Sequence, residues 1–88
     1  MASFEIEWKH SAARELRKLP REVIARIIAA VETLAVDPHP TGSRKLEGSE
    51  HTYRIREGPY RIIYEVGRRD LAIRVVRVAH RREAYRGL

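Results

Sequence analysis

Hydrophobic and polar residues alternate at the start of the chain, and the spacing then changes to that of helices. Phe4, Ile6 and Trp8 alternate with polar residues, which predicts a strand. A short helix follows, with one apolar face made of Ala12, Leu16 and Leu19. Ser11 is expected to cap the first turn of this helix, and Pro20 is expected to end it.

A second helix is predicted directly after the first, with Pro20 in its first turn. Its apolar residues recur at helical spacing to about Ala35, and they are Val23, Ile24, Ile27, Ile28, Val31 and Leu34. The two helices should therefore form a hairpin with little linker. Residues 37–51 are predicted to form a long loop, because residues 37–42 are rich in Pro, Asp and Gly, which interrupt regular structure.

Three further strands are predicted at about residues 52–57, 60–66 and 71–79, with turns at Gly58-Pro59 and at residues 67–70. The last strand is apolar on both faces apart from its arginines, which favours a central position. Residues 81–88 are expected to add one turn of helix. The order βααβββ predicts one α+β domain over residues 1–88, with the helical hairpin packed on one face of a small, mostly antiparallel four-stranded sheet.

The positive charge is concentrated in the second half of the chain. The net charge is +6, and 15 of the 18 basic residues are arginine. Residues 1–44 carry 7 basic and 6 acidic residues, a balance of +1, whereas residues 45–88 carry 11 and 6, a balance of +5. A partner surface is therefore expected in the second half. The chain has no cysteine, which favours a cytoplasmic protein, and neither a signal segment nor a membrane span is expected.

Arginines alternate with apolar residues in the first predicted hairpin. Tyr53 and Ile55 are expected to face the core, which leaves Arg54 and Arg56 on the open face. Arg61 is expected beside Arg56 across the turn. The predicted basic set of the sheet and its end comprises Arg54, Arg56, Arg61, Arg74, Arg77, Arg81 and Arg82. Guanidinium groups fixed on a sheet suit a phosphate-binding surface, which predicts RNA or DNA as a partner. The alternative is a solvated sheet face without function.

The segment His80-Arg81-Arg82-Glu83-Ala84-Tyr85 places an imidazole, guanidinium groups and a phenol directly after the last strand. Histidine exchanges protons near neutral pH, arginine offsets charge on a phosphorane, and tyrosine donates a proton or stacks on a base. By itself such a segment is typical of a protein surface, but beside the arginine strands it becomes a candidate catalytic group. The remaining histidines lack the spacing of metal ligands, so neither a metal site nor a cofactor is expected.

Four motifs, in order and at compatible spacing, resemble the RelE toxins of bacterial and archaeal toxin–antitoxin systems. They are Lys45-Leu46-Glu47-Gly48, Tyr53-Arg54-Ile55-Arg56, the run from Gly58-Pro59-Tyr60-Arg61 to Tyr64-Glu65-Val66, and Val78-Ala79-His80-Arg81-Arg82-Glu83-Ala84-Tyr85. The order of elements agrees with this family over nearly the whole chain.

The resemblance implies a ribosome-dependent endoribonuclease, an mRNA interferase that blocks translation. Such a toxin enters the A site of the 30S subunit and cuts the mRNA there. The ribose 2′-OH attacks the adjacent phosphate, so the reaction needs no metal. The resemblance also implies a cognate RelB-like antitoxin, acidic and helical, and no membrane partner.

The resemblance assigns roles to individual residues. Arg61 matches an arginine that steadies the transition-state phosphate, Arg81 a second phosphate ligand, and Tyr85 a residue that stacks on or orients the substrate. Lys45, Arg54 and Arg82 are expected to bind substrate. Arg54 and Arg56 fall where relatives often carry lysines, one of them proposed as the base. Arginine is effectively never deprotonated, so Arg56 can bind and polarise the substrate but is a poor general base.

Another residue would then have to move the proton. His80 is a candidate acid, as in some relatives, with Glu47 or Glu50 as the base. Electrostatic stabilisation by the arginines without a strong base is the alternative.

Two other functions remain open at this stage. A ParE-like relative would share the fold but bind and inhibit DNA gyrase without cutting RNA. Such relatives tend to lack the arginines and the terminal tyrosine, so the presence of Arg61, Arg81 and Tyr85 in this chain favours the nuclease. An inactive regulatory module that binds operator DNA together with an antitoxin is the weakest alternative, because no helix-turn-helix is evident in the sequence.

Overall fold

The computed structural model describes residues 3–86. The chain forms strand β1 (Glu5–Trp8), helices α1 (His10–Arg17) and α2 (Arg21–Leu34), and strands β2 (Arg44–Lys45), β3 (Thr52–Glu57), β4 (Tyr60–Gly67) and β5 (Ala72–His80). The strands form one sheet in the order β1-β5-β4-β3-β2. β1 pairs parallel with β5, and all other pairs are antiparallel.

Both helices pack on one face of this sheet, as predicted. The buried helical residues are Ala12, Leu16, Val23, Ile27, Val31 and Leu34, at the spacing read from the sequence. They meet one face of the strands, whose buried members are Ile55, Ile62, Tyr64, Val66, Ile73, Val75 and Val78. Burial of these apolar side chains stabilises the fold and leaves the opposite, open face of the sheet free of helices.

The α+β class and the element order are confirmed, but the prediction of four strands is wrong. The fifth strand is β2, which lies inside the predicted loop and pairs Arg44 with Arg54 and Lys45 with Tyr53. Two residues are too few to show an alternating pattern, so only pairing with β3 reveals this strand. The predicted interior position of the last strand is confirmed, because β5 lies between β1 and β4.

The predicted helix starts differ from the observed ones by about a residue. α1 begins at His10 with Lys9 at the N-cap position and without a side-chain cap, so the prediction that Ser11 caps it is wrong. Pro20 occupies the N-cap of α2 rather than its first turn. Its carbonyl oxygen accepts hydrogen bonds from the N–H groups of Val23 and Ile24, at 3.0 and 2.9 Å.

The chain after β5 forms hydrogen-bonded turns rather than an α-helix over residues 81–86, here called the C-terminal segment. Only the Ala84 N–H makes a bond of α-helical spacing, to the His80 oxygen at 3.0 Å, so the predicted turn of helix reduces to that one bond. Residues 87–88 of the prediction lie outside the described residues. Neither helix formed between residues 3 and 86 is long and apolar enough to cross a membrane.

Candidate functional site

The open face of the sheet carries the arginines of the first hairpin. Tyr53 and Ile55 pack with the core, and successive strand residues point to opposite faces, so Arg54 and Arg56 point away from the helices. The turn at Gly58-Pro59 joins β3 and β4 and sets their register. It pairs Arg56 with Arg61, as the sequence predicts.

Arg61 lies at the centre of this face. Its Nη1 donates to the carbonyl oxygens of Gly58 and Tyr60 at 3.1 and 2.9 Å, which holds the side chain close to the turn. Across β4, its neighbours are Arg56 on β3 and Ala79 on β5. Because the side chain of Ala79 is only a methyl group, there is space beside Arg61 on the β5 side.

The pKa of Arg61 is set by its burial and by the charged groups near it. Burial lowers the pKa of Arg61, and the positive charges of Arg56, Arg54 and Arg81 lower it further, while the Tyr85 phenol raises it. Four cations, the arginine cluster of Arg54, Arg56, Arg61 and Arg81, therefore act on one region. Arginine keeps its proton at neutral pH even so, and the cluster can hold an anion such as a phosphate.

The C-terminal segment places Arg81 and Tyr85 close enough to Arg61 to affect its pKa. The Arg81 N–H donates to the Pro59 oxygen at 2.7 Å, which ties the start of the segment to the β3–β4 turn. Near its other end, the Arg86 carbonyl oxygen accepts a hydrogen bond from Arg77 Nη1 on β5. Between these two contacts Ala84 is fully buried, whereas Tyr85 is 45% exposed and accessible to a substrate.

The site contains one arginine that sequence reasoning missed. Arg44 pairs with Arg54 and therefore shares its face, whereas the predicted substrate ligand Lys45 pairs with Tyr53 and points to the other face. Arg44, Arg54 and Arg56 line a groove of about 330 Å³ at the β3 edge, which Ala30 and Thr33 of α2 also line. A strand assignment for residues 44–45 would have separated Arg44 from Lys45, because neighbouring strand residues point to opposite faces.

His80 directly precedes Arg81 in the chain but does not lie on the face of the sheet that carries Arg61. It pairs with Tyr60, which packs against the core, and the two rings meet edge to face at 6.0 Å. Its Nδ1 accepts the Arg82 N–H at 3.3 Å, so this contact places the proton of the neutral ring on Nε2. The Arg82 side chain is exposed beside it. His80 thus lies on the helix side of the sheet while Arg61 lies on the open side.

The glutamates considered as partners for His80 lie at the other end of the hairpin. Glu50 is exposed and lies 3.9 Å from His51, just before β3 begins, and Glu47 precedes it in the same loop. His80 is level with Tyr60, the first residue of β4 after the turn. The length of β3 separates the two ends, roughly 15–20 Å at 3.3 Å a residue. The structure therefore does not assemble a His80–glutamate pair.

Groups of three or more His, Asp or Glu side chains that could hold a metal ion are not found within residues 3–86. The chemistry available at the site is that of guanidinium groups and one phenol. Such groups bind and neutralise a phosphate and orient a base stacked on the ring.

Comparisons with known proteins give a consistent result. The family profile described as "ParE toxin of type II toxin-antitoxin system, parDE" matches residues 6–85. The toxin RelG of Mycobacterium tuberculosis is 30% identical over 87 residues, which cover 94% of this chain and 97% of RelG.

Solved structures agree with the sequence relatives. The archaeal RelE–RelB complex from Pyrococcus horikoshii contains a chain that is 28% identical, with a TM-score of 0.81 and coverage of 93% of this chain and 99% of that one. The RelB–RelE complex from Methanococcus jannaschii contains a chain with a TM-score of 0.72 and 26% identity, covering 88% of this chain and 92% of that one.

Proposed function

We propose that this chain, which belongs to the ParE toxin family of type II toxin–antitoxin systems and is a RelE-type toxin of the RelE/ParE superfamily, cleaves mRNA in the ribosomal A site. The observation that carries the proposal is the arginine cluster with Tyr85 on the open face. A module that only binds protein has no need to concentrate three like charges, which repel one another, around the Arg61 guanidinium.

In the proposed reaction the RNA itself supplies the nucleophile. The ribose 2′-OH attacks the adjacent phosphate, and the bond from phosphorus to the 5′-oxygen breaks, which leaves a cyclic phosphate and a 5′-OH end. Arg61 and Arg81 offset the charge of the phosphorane, while Arg54 and Arg56 bind the flanking backbone. Tyr85 stacks on a neighbouring base and holds the attacking oxygen in line. This nucleophile makes a metal ion unnecessary.

In this proposal, electrostatic stabilisation of the transition state by the arginine cluster supplies most of the rate enhancement. Arg56 cannot accept the 2′-OH proton, because arginine stays protonated, and His80 lies on the other side of the sheet. The cluster instead lowers the pKa of the 2′-OH as negative charge develops, so that solvent water takes the proton and returns one to the 5′-oxygen.

The decisive experiment is translation of a defined message in vitro with toeprinting. Wild-type protein should give a cut in the A-site codon, and Arg61→Ala should lower the cleavage rate roughly 100- to 1,000-fold, the usual effect of removing one preorganised donor. His80→Gln should keep cleavage within a few-fold of wild type. Unchanged cleavage by Arg61→Ala would refute the central role of Arg61, and loss of cleavage in His80→Gln would assign the proton to His80.

A second candidate function follows from the family profile, which is named for ParE toxins. A ParE-like protein would inhibit DNA gyrase by binding it and would leave RNA intact. The same preparation should therefore be assayed for inhibition of gyrase supercoiling. Intact mRNA together with inhibited supercoiling would replace the nuclease proposal by this one.

A RelB-like antitoxin is the proposed regulatory partner. The solved relatives from Pyrococcus horikoshii and Methanococcus jannaschii are complexes of RelE with RelB. An acidic, helical antitoxin segment lying across the open face would neutralise the positive second half of this chain, and the helical hairpin is the alternative docking face. A short acidic protein is expected from the neighbouring reading frame, and its co-expression should yield a complex that cuts no mRNA.

A further inference from the structure

The edge of β5 beyond β1 is covered by a side chain instead of a strand. β1 pairs only with residues 72–75 of β5, which leaves the rest of β5 without a strand on that side. There the N–H of Val78 donates to Glu15 Oε1 of α1 at 2.9 Å. A carboxylate that accepts a backbone N–H makes a strong hydrogen bond, so Glu15 fixes α1 against this edge.

Glu15 also faces an arginine that lies next to the candidate site. Its Oε2 is 3.6 Å from Arg77 Nε, which is too long for a hydrogen bond but close enough for charge attraction. Arg77 Nε is buried and has no hydrogen-bond partner within residues 3–86. A buried guanidinium nitrogen is costly without a compensating charge, and Glu15 supplies that charge.

The other end of Arg77 reaches the C-terminal segment. Arg77 pairs with Ile63, two residues after Arg61 on the same face of β4, and its Nη1 donates to the Arg86 carbonyl oxygen. Ile63 is fully buried although it lies outside the main core cluster. The C-terminal segment, with the equally buried Ala84, therefore lies over the sheet at this point.

We propose that Glu15 and Arg77 are positioning residues that hold the C-terminal segment over the sheet and so keep Tyr85 and Arg81 near Arg61. Because Glu15 offsets its charge and Arg86 occupies one of its donors, Arg77 is not a ligand of the RNA phosphate, in contrast to the arginine cluster. The placement of the segment follows from the contacts alone, whereas its effect on cleavage rests on the proposed function.

The placement is tested without any activity measurement. The four tyrosines are replaced by 3-fluorotyrosine, and the Tyr85 resonance is assigned in the fluorine NMR spectrum by Tyr85→Phe. In Arg77→Ala the Tyr85 resonance should move towards the chemical shift that it has in the unfolded protein, and its line should narrow. The other three tyrosine resonances should keep their chemical shifts. Arg74→Ala, another arginine of β5, is the matched control and should leave Tyr85 unchanged.

Glu15→Gln provides a variant that keeps the acceptor for Val78 but loses the charge facing Arg77. It should move the Tyr85 resonance in the same direction by a smaller amount, which keeps the test informative if Arg77→Ala does not fold. An unchanged Tyr85 resonance in a folded Arg77→Ala or Glu15→Gln protein overturns the proposal.

The role in cleavage is tested by single-turnover cutting of ribosome-bound mRNA. Displacement of Tyr85 should lower the maximal rate roughly 10- to 100-fold in Arg77→Ala, with the half-saturating toxin concentration within about twofold of wild type. Weaker binding and a salt slope reduced by about 0.7 would instead identify Arg77 as a phosphate ligand and overturn the assignment. If wild-type protein cuts no RNA, the proposed function fails while the resonance experiment still judges the placement.

Discussion

At the scale of single residues, the site concentrates charge at the expense of stability. The lowered pKa of Arg61, caused by burial and by Arg56 and its neighbours, means that the folded state disfavours this cation relative to the unfolded chain. Like charges directly opposed on neighbouring strands destabilise a sheet, and Arg56 and Arg61 are such a pair. An anion bound between them would remove this cost, which is the behaviour expected of a binding site.

Arg56→Gln should therefore stabilise the free protein while weakening its function. The expected gain is about 0.2–1 kcal/mol, the size of a cross-strand pair, which corresponds to a few degrees in Tm for a chain of this length. Thermal unfolding followed by Trp8 fluorescence measures it. Arg26→Gln is the control and should not stabilise the protein, because Arg26 Nε lies 3.8 Å from Glu57 Oε2, an opposite charge. A loss of stability in Arg56→Gln would show that the pair is not repulsive.

At the scale of elements, the loop after α2 is held to the sheet by Tyr64. Its buried hydroxyl donates to the Pro38 oxygen at 2.7 Å. The Tyr53 ring stacks on Tyr64 with centroids 6.0 Å apart, and His39 lies 4.5 Å from Tyr53. These contacts fix the start of the loop that leads to β2, and they thereby help to place Arg44 beside Arg54.

Tyr64→Phe should lower the free energy of unfolding by about 1–2 kcal/mol, because it leaves the Pro38 oxygen without its donor.

Burial raises the pKa of Tyr64 to about 12. In the unfolded chain a tyrosine ionises near pH 10, so between about pH 10 and 12 the folded state binds more protons and stability falls as pH rises. Unfolding free energies measured at pH 9, 10 and 11 should fall less steeply in Tyr64→Phe than in wild type. Parallel curves would exclude Tyr64 as the source.

At the scale of the whole molecule, the helices and the arginines occupy opposite faces of one sheet. The helices bury the apolar side, so the open side is available to carry the charge that makes the second half of the chain positive. This separation lets the open face vary without disturbing the core. Under the proposed function, electrostatic attraction should dominate binding to RNA and should weaken with salt.

The missed arginine gives a test of this surface. Affinity for ribosomes, measured as a function of KCl concentration, should fall with a slope that drops by about 0.7 in Arg44→Ala if Arg44 contacts one RNA phosphate. Lys45→Ala is the matched control, since Lys45 is adjacent in sequence but points to the other face, and it should change the slope less. Equal effects of the two variants would contradict the facing inferred from β2.

Local pattern was enough to predict the parts of the fold that depend on neighbours in the chain. The helical spacing of Val23, Ile27 and Val31 identifies the buried face of α2, because a helix repeats every 3.6 residues. The Gly58-Pro59 turn was enough to pair Arg56 with Arg61, because a two-residue turn sets the register of its strands. The positions of Arg54, Arg56 and Arg61 on the open face could therefore be read from the sequence.

Tertiary structure decided what depends on contacts between distant residues. In sequence, β5 is apolar on both faces. The structure explains this pattern, because a register shift leaves Val76 without a partner on β4 and thereby puts Val75 and Val78 on the same, core-facing side. Only the pairing of β2 separates Arg44 from Lys45, and only the register of β5 places His80 on the helix side. The contact of Glu15 with Val78 spans 63 residues, a separation at which local pattern carries no signal. The residue types and their spacing determined which side chains are available to the site, whereas long-range packing determined which of them lie together.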